Sequence, residues 1–324
     1  MQSTNLDLNQ IFDQAKHAML QAHRILIISH KSPDPDAIGA NLALREALEN
    51  MGKSVQSACV DPCPENCNFL RKSDTYLPDF RPQDYDLIIS VDCGGHKLLG
   101  FQKDKPELLD KSRVTLLNID HHPSNDYFGT FNVVIPDAPA TCIILFHMFN
   151  YFGWEITQEM ATALLHGLYF DTGSFMHSNT TPDALRVAAR LKALGGNHEY
   201  CVKQQFRKKS LEKLRLWGRA LSKLSINKNH AAITALTEQD YQAENATFED
   251  LSGLINYLTH IPEAKFSMLL AEDMHGNIKG SLRTQNDNVD LSGIAQLFGG
   301  GGHTKAAGFT IPGHIQQRCS WCIS

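Results

Sequence analysis

The sequence has no excess of positive charge and no long apolar segment. Its 324 residues carry 30 lysines and arginines against 35 aspartates and glutamates, which gives a net charge of −5. This balance argues against a protein that holds long DNA or RNA along a basic track, although a few local cations could still bind a short nucleotide. No run of about 18 apolar residues is present, and the N-terminus lacks a basic segment followed by an apolar one, so we predict neither a membrane span nor a signal peptide.

The sequence also lacks the cysteine pattern of a secreted, disulfide-rich domain. Its eight cysteines are scattered along the chain, and without an export signal we expect reduced thiols and a cytoplasmic protein. Two cysteine groups, CVDPCPENC at 59–67 and CSWC at 319–322, could be drawn together as a zinc site. Because they lie far apart in the sequence and neither has the paired turn of a zinc ribbon, we do not expect structural zinc.

The first part of the chain alternates short apolar strands with helical or irregular connections. Strands are predicted at 24–29, 54–60, 86–91, 114–119 and 131–135, and helices follow at about 138–152, 157–170 and 181–195. This alternation predicts βαβ units and an α/β fold in which a mostly parallel sheet has helices on both faces.

A second region of strands and helices begins at about residue 228. Before it lies a charged, amphipathic stretch at 202–224, which we predict to be a linker helix. The pattern therefore divides the chain into a large α/β domain at 1–195, a helical linker at 196–227 and a smaller α/β domain at 228–324.

Polar side chains that can bind metals follow three of the predicted strands. They are His30, Asp34 and Asp36 after 24–29, Asp92 after 86–91, and Asp120, His121 and His122 after 114–119. The carboxyl ends of parallel strands meet along one edge of a sheet, which is the usual ligand site of such folds. Carboxylates collected there would repel one another and raise each other's pKa values unless cations lay between them. The sequence therefore predicts a metal site at this edge.

The ligand types narrow the choice of metal. Several carboxylates and two imidazoles, with no thiolate, suit Mn²⁺, Mg²⁺ or Fe²⁺ better than structural zinc. Because the ligands outnumber the needs of one ion, the pattern favours two ions about 3.5–4 Å apart. A further carboxylate, Asp171, ends an apolar helix beside a glycine-bearing turn. From spacing alone, Asp171 is equally well a ligand or a cap of its own turn.

Five motifs taken together resemble the DHH phosphoesterase superfamily, which includes RecJ-like nucleases. Four resemble its successive catalytic motifs and the last its associated substrate-binding domain: SHKSPDPDAIGA, VDCG, NIDHHPSND, LYFDTGSF and GGGGHTKAAGF. Size, the small second domain and the stretch FDTGSFMHSNTT are most similar to bacterial oligoribonucleases, hydrolases that degrade very short RNAs and dephosphorylate adenosine 3′,5′-bisphosphate (pAp). The resemblance implies that 1–195 is the DHH catalytic domain and that 228–324 binds substrate.

The resemblance also implies which residues hold the two divalent ions, with Mn²⁺ expected before Mg²⁺ or Fe²⁺. One ion would be bound by His30, Asp34 and Asp92. The second would be bound by Asp36, Asp92, His121 and Asp171. Asp92 would therefore bridge the two ions.

The resemblance also implies catalytic roles for two further residues of the third motif. Asp120 would orient the neighbouring histidines without binding a metal itself. His122 would face the scissile phosphate. Together with the bridging Asp92, these residues would form the catalytic centre.

The resemblance places substrate binding in the second domain. The glycines Gly300, Gly301 and Gly302 would let backbone N–H groups approach a phosphate closely. His303 and Arg283 would bind the terminal phosphate of the substrate, and an arginine suits this role because its guanidinium can bind two oxygens at once.

Other activities that use the same kind of metal site have to be distinguished from this one. The glycine-rich motif argues against manganese pyrophosphatases, and the modest length and acidic balance argue against a processive RecJ. A stand-alone cyclic-dinucleotide phosphodiesterase stays open as an alternative function, and so, more remotely, does a nucleotide-binding protein without catalysis.

The implied partners are short RNA oligonucleotides and mononucleotide bisphosphates rather than long duplexes or membranes. Similar proteins are frequently homodimers, but no dimer-specific stripe is visible in this sequence.

Overall fold

Two six-stranded sheets organise the chain. In this computed structural model, which describes residues 7–206 and 210–316, the chain divides into two units, Met1–Lys208 and Lys209–Ser324, each with its own sheet. The division falls within the predicted linker. The α/β class is confirmed.

The first unit is built on a fully parallel sheet. Its strands are β1 (Arg24–Ser29), β2 (Ser54–Ala58), β3 (Tyr76–Leu77), β4 (Leu87–Val91), β5 (Leu116–Asp120) and β6 (Phe131–Val134). They lie in the order β3-β2-β1-β4-β5-β6, and every neighbouring pair is parallel. The central strands β1 and β4 are mostly apolar, and all of their residues except Arg24 are buried, because both faces of the sheet are covered. The five predicted strands are confirmed, and β3 is an additional short edge strand.

The two faces of this sheet are covered differently. The helices of the unit are α1 (Leu8–Gln21), α2 (Pro35–Asn50), α3 (Thr141–Phe152), α4 (Gln158–Asp171), α5 (Pro182–Ala193) and α6 (His198–Phe206). Helices α1 to α5 contribute to the larger core on one face. The core on the other face is closed by loops and short 3₁₀ helices such as His96–Leu99 and Pro106–Leu109. These connections are rich in glycine, proline and lysine and offer no helical apolar stripe.

Helices α2 and α4 pack against each other unusually closely. A Cβ atom placed on Gly39 would lie 2.4 Å from the carbonyl oxygen of Ala163, and one on Gly167 would lie 2.7 Å from Oδ1 of Asp36. Glycine at both positions lets the helix backbones approach. This antiparallel contact brings the first turn of α2 next to the last turns of α4.

The second unit is a mixed sheet with its own helices. Its strands are β7 (Ser225–Ile226), β8 (Ala231–Leu236), β9 (Phe266–Glu272), β10 (Asn277–Arg283), β11 (Gly301–His303) and β12 (Ala306–Pro312), and its helices are α7 (Leu211–Ser222), α8 (Glu238–Glu244), α9 (Leu254–Leu258) and α10 (Leu291–Gln296). The order is β11-β12-β10-β9-β8-β7, with β8 and β9 parallel and the other pairs antiparallel.

The predicted linker helix at 202–224 is divided in the structure, and so is a second stretch with a helical sequence pattern at 248–258. The stretch 202–224 contains the end of α6 and the whole of α7, and residues 207–209 between them lie outside the described chain. The stretch 248–258 is divided into a 3₁₀ helix and α9, because Gly253 adopts a left-handed φ of +90° beneath the ring of Trp217. The cysteine pair of the C-terminal CSWC motif also lies outside the described residues. Among the residues that are described, no helix is both long and apolar enough to cross a membrane.

The contact between α2 and α4 can be tested with a pair of glycine substitutions. We expect Gly39→Ala to lower the free energy of unfolding by roughly 1–3 kcal/mol, because the new methyl group would press on a backbone carbonyl. Gly218→Ala in α7 is the matched control: nothing lies within 4 Å of its Cβ position, so this change should stabilise its helix by up to about 1 kcal/mol. Scanning calorimetry measures both; a Gly39→Ala protein as stable as wild type would contradict the close packing.

Candidate metal centre

The predicted metal ligands meet where the strand order of the first sheet reverses. β1 and β4 are neighbours at the point where the order changes direction, and the crevice at the carboxyl ends of such strands is the usual ligand site of a parallel sheet. His30 follows β1, Asp92 follows β4, and Asp120 is the last residue of β5. The strand ends that carry these residues therefore lie at one edge of the sheet, and their binding of metal stays a prediction.

Asp92 lies at the centre of the cluster. Its side chain is only 2% exposed, and its backbone adopts a left-handed φ of +57°. Nε2 of His30 lies 3.6 Å from one carboxylate oxygen, and Nε2 of His121 lies 3.5 Å from the other. The hydroxyl of Thr141 donates a hydrogen bond to the same carboxylate at 3.0 Å.

Two groups of side chains are arranged to hold a cation each. In each group the potential ligand atoms lie within 4.8 Å of one another: His30, Asp34 and Asp92 in the first, and Asp36, His121 and Asp171 in the second. Asp92 also groups with His121 and His122 in this way. The first group contains the three ligands that the resemblance implies for one ion, and the second contains three of the four implied for the other. The fourth, Asp92, groups with His121 and His122, and metal binding by these sets stays a prediction.

Backbone carbonyls fix the orientation of both histidines. Nδ1 of His30 lies 2.8 Å from the carbonyl oxygen of Lys31, and Nδ1 of His121 lies 3.1 Å from that of Ala138. A carbonyl can only accept, so Nδ1 carries the hydrogen in each ring. The other nitrogen, Nε2, is left facing the carboxylates, as in histidines that bind metals.

Helix N-termini fix two of the carboxylates. Asp36 accepts hydrogen bonds from the backbone N–H groups of Thr141 at 2.6 Å and Cys142 at 3.1 Å, at the beginning of α3. Asp34 caps α2 by accepting from the N–H groups of Asp36 and Ala37 at 2.9 and 3.1 Å. Such contacts favour the ionised carboxylate, and they hold each side chain in one orientation.

The electrostatics of the cluster fit a divalent cation. Burial, followed by the charges of Asp92 and Asp171, raises the pKa of Asp34 to about 7 and that of Asp36 well above its usual value. Burial alone would lower the pKa of His121, but its hydrogen bond to Asp171 and the surrounding carboxylates raise it to about 10. Cations would relieve the same repulsion, and oxygen and imidazole donors suit Mn²⁺ and related ions.

The position of Asp171 favours a ligand over a local cap. It is the last residue of α4, and its Oδ2 lies 3.2 Å from Nε2 of His121. Its own carbonyl oxygen accepts a hydrogen bond from Asn179 at 3.2 Å, which ties the following loop to this helix end.

A second set of hydrogen bonds orients His122. Its Nδ1 lies 2.8 Å from Oδ1 of Asp120, a fully buried carboxylate. Asn125 donates to the other oxygen of Asp120 at 2.6 Å and to the carbonyl oxygen of Cys93 at 3.1 Å. Asn125 and Thr141 were not predicted as site residues. Asn125 is visible in the motif NIDHHPSND, but nothing in the sequence marks Thr141.

The residues expected to bind phosphate lie on the second sheet. Arg283 on β10 pairs with Ala306 on β12, which pairs in turn with His303 on β11. Residues directly opposite each other share a face, so Arg283 and His303 lie on one face, two strands or about 10 Å apart. Arg283 has no acidic partner among the described residues, and burial lowers the pKa of its guanidinium. A half-buried arginine without an acidic partner among the described residues is suited to an anionic ligand.

Packing on β12 gives a structural reason for two of the three predicted phosphate-binding glycines. A Cβ on Gly300 would lie 2.2 Å from the carbonyl oxygen of Gly308, and one on Gly302 would lie 2.5 Å from that of Ala306. Close packing on β12 therefore explains these two glycines. Gly301 has open space around its Cβ position, so its backbone is the one of the three that a ligand could approach. Phosphate binding by this segment stays a prediction.

Comparison with protein families covers both units. The DHH family, N-terminal domain, matches residues 24–168, and the DHHA1 domain matches residues 228–318.

Curated relatives cover most of the chain. A protein of Thermus thermophilus named "Bifunctional oligoribonuclease and PAP phosphatase NrnA" is 35% identical over 89% of this chain and 84% of its own length. Proteins of the same name from Mycoplasma genitalium and Bacillus subtilis are 28% and 24% identical, over 92% and 89% of this chain and of their own lengths.

Solved structures share the fold. The crystal structure of an exopolyphosphatase-related protein from Bacteroides fragilis has a TM-score of 0.87 and 25% identity, covering 97% of this chain and 94% of that one. RecJ from Thermus thermophilus in complex with Mn²⁺ has a TM-score of 0.54 and 15% identity, covering 94% of this chain and 52% of that one. The second likeness supports the fold alone.

Metal binding can be tested by thermal stability. We expect Mn²⁺ at 100 times its Kd to raise the free energy of unfolding of the wild-type protein by about 2.7 kcal/mol, and EDTA to reverse this gain. Asp92→Asn should lose most of the gain, because both ligand groups meet at this carboxylate. Asp183→Asn is the matched control, since Asp183 is an exposed aspartate that also contacts a histidine. Equal stabilisation of the Asp92→Asn and wild-type proteins would contradict the central role of Asp92.

Proposed function

Because the chain belongs to the DHH family, we propose that it is a metal-dependent phosphoesterase that hydrolyses very short oligoribonucleotides to mononucleotides and dephosphorylates pAp to AMP. The observation that carries this proposal is the set of candidate ligand groups at and beside Asp92. The relatives named as bifunctional oligoribonuclease and PAP phosphatase, which match nearly the full length of the chain, support it. We further propose that the enzyme acts in the cytoplasm.

The proposed cofactor is a pair of divalent ions, with Mn²⁺ preferred. When bound, such ions supply positive charge for the phosphoryl oxygens and a water that is deprotonated near neutral pH. His30 and Asp34 would hold one ion and Asp36, His121 and Asp171 the other, with Asp92 shared. The carbonyl and helix N-terminal contacts of these side chains keep them in place before substrate binds, which lowers the cost of reorganisation during the reaction.

His122 is the proposed contact to the scissile phosphate. Asp120 accepts the Nδ1 hydrogen of His122, so Nε2 remains available to the substrate. The side chain of His122 is 42% exposed, whereas its partner is fully buried. Asp120 and Asn125 thus fix the tautomer and direction of a ring that stays accessible.

The second unit is proposed to bind the distal phosphate of the substrate. Arg283 and His303 share one face of its sheet, and Ala306 between them leaves that face without a large side chain. Holding a phosphate away from the reacting one favours substrates of only a few nucleotides. This proposal gives the small second domain its role in substrate choice.

A panel of four substrates tests the proposed function. With Mn²⁺, we expect fast turnover of pAp and of a 5′-phosphorylated RNA dinucleotide, slow turnover of a 24-nucleotide RNA, and little opening of cyclic di-AMP. The control is the Asp92→Asn protein, which should be inactive on all four substrates. Preferential opening of cyclic di-AMP would replace the proposal by a cyclic-dinucleotide phosphodiesterase. Tight dinucleotide binding without any turnover would indicate a binding protein.

A variant of Arg283 tests the phosphate contact separately. We expect Arg283→Ala to raise KM for pAp by about 10- to 100-fold, because a charge-assisted hydrogen bond contributes roughly 1.5–3 kcal/mol, while kcat changes little. Arg215→Ala, which removes an exposed arginine of α7 in the same unit, is the control and should leave KM unchanged. An unchanged KM in Arg283→Ala would remove this residue from the proposed binding site.

A further inference from the structure

His96 and Asp126 form a second histidine–aspartate pair, in addition to His122 and Asp120. Nδ1 of His96 is 2.5 Å from Oδ2 of Asp126, and the same oxygen lies 3.4 Å from the backbone nitrogen of His96. An ionised carboxylate only accepts, so Nδ1 carries the hydrogen and Nε2 is free to act on another molecule. Among the described residues Nε2 has no partner, and the His96 side chain is 32% exposed.

This pair lies at the rim of the metal centre. His96 begins the 3₁₀ helix that follows Asp92 after a short loop, and a Cβ on Gly94 of this loop would lie 3.0 Å from Cβ of His122. Two residues span about 7 Å at most, so the backbone of His96 is within that distance of Gly94. At the other end of the turn, the carbonyl of Leu98 accepts a hydrogen bond from the N–H of Lys31 at 2.8 Å. The loop is thus tied to segments that carry metal ligands on both of its sides.

None of the residues described so far is assigned to protonate the leaving oxygen in the proposed reaction. When the P–O bond breaks, the leaving oxygen of a ribose keeps the electron pair and becomes a strongly basic alkoxide unless it receives a proton. A positioned acid within reach of that oxygen contributes typically about 10²- to 10⁴-fold to the rate. His122 is directed at the phosphate itself, so a second ring beside it is suited to the leaving group.

We propose that His96 is a further catalytic residue, which donates the proton on Nε2 to the leaving oxygen, with Asp126 as the residue that positions it. The inference rests on the proposed function. As the P–O bond breaks, its electrons go to the leaving oxygen, and that oxygen takes the Nε2 proton. His96 changes from an imidazolium to a neutral ring, whose Nδ1 hydrogen stays hydrogen-bonded to Asp126. Nε2 regains a proton from water after the nucleotide product has left.

Another nearby histidine lacks this arrangement. His177 lies next to Asp171, and its Nδ1 faces the carbonyl oxygen of Asp171 at 3.3 Å. Its ring is packed against Gly173, where a Cβ would lie only 2.2 Å from Nε2 of His177. With its ring pressed on the backbone and no carboxylate partner among the described residues, His177 is less suited to proton transfer than His96.

A change of leaving group separates proton donation from a structural role. The two substrates are pAp and its analogue with sulfur in place of the bridging 3′-oxygen, whose thiolate leaves without needing a proton. We expect His96→Gln to lower kcat on pAp by about 10²-fold and to change kcat on the thio analogue by less than about threefold. Asp126→Asn should show the same preference for the thio analogue with a smaller loss on pAp.

Controls make the outcome decisive. His147 on the surface of α3 forms a similar pair, with its Nε2 2.7 Å from Oδ2 of Asp183. His147→Gln should leave both rates unchanged. The thermal midpoint and Mn²⁺ stabilisation of the His96→Gln protein should equal those of wild type. Equal losses on both substrates, or no loss on pAp, would overturn the role of His96 while wild-type activity still supports the proposed function. A wild-type protein without activity on pAp would overturn both.

Discussion

The repulsion among buried carboxylates at the carboxyl edge of the first sheet is the constraint on which the rest of this unit depends. Asp36, Asp92 and Asp120 are almost completely buried within a few residues of strand or helix ends. Charges in such positions are costly unless they are paired or hydrogen-bonded. The fold meets this cost with N–H groups of two helix N-termini, three imidazoles and places for cations. The N-termini of α2 and α3 therefore offset charge in the site in addition to packing in the apolar core.

This constraint explains why much of the site could be predicted from the sequence. Strand ends in a parallel sheet converge by topology, so His30, Asp92 and His121 were predictable once the apolar strands were located. Asp36 was predicted from its place in the loop after the first strand, and the structure adds that it lies in the first turn of α2, which Asp34 caps. In these cases the local sequence determines both the element and the position of the side chain on it.

The parts that could not be predicted depend on contacts between distant segments. Thr141 acts on Asp92 and Asp36 only because α3 begins beside them, and an ordinary threonine at a helix start carries no such signal. The close crossing of α2 and α4 similarly depends on Gly39 and Gly167, whose meaning appears only when the opposing backbone is known. The light covering of the second face of the sheet also followed from tertiary packing, since 3₁₀ turns have no strong sequence period.

The two histidine–aspartate pairs beside the metal ligands differ in a way that suits different tasks. Asp120 is fully buried beneath His122, whereas Asp126 is 39% exposed beside His96. A buried carboxylate holds its ring rigidly and keeps one tautomer, which suits a contact to a phosphate whose position must not change. A pair open to water can exchange its proton with solvent between turnovers. Under the proposed function, the rigid ring of His122 would contact the reacting phosphate. The exchangeable ring of His96 would lie at the rim, where the leaving nucleotide would depart.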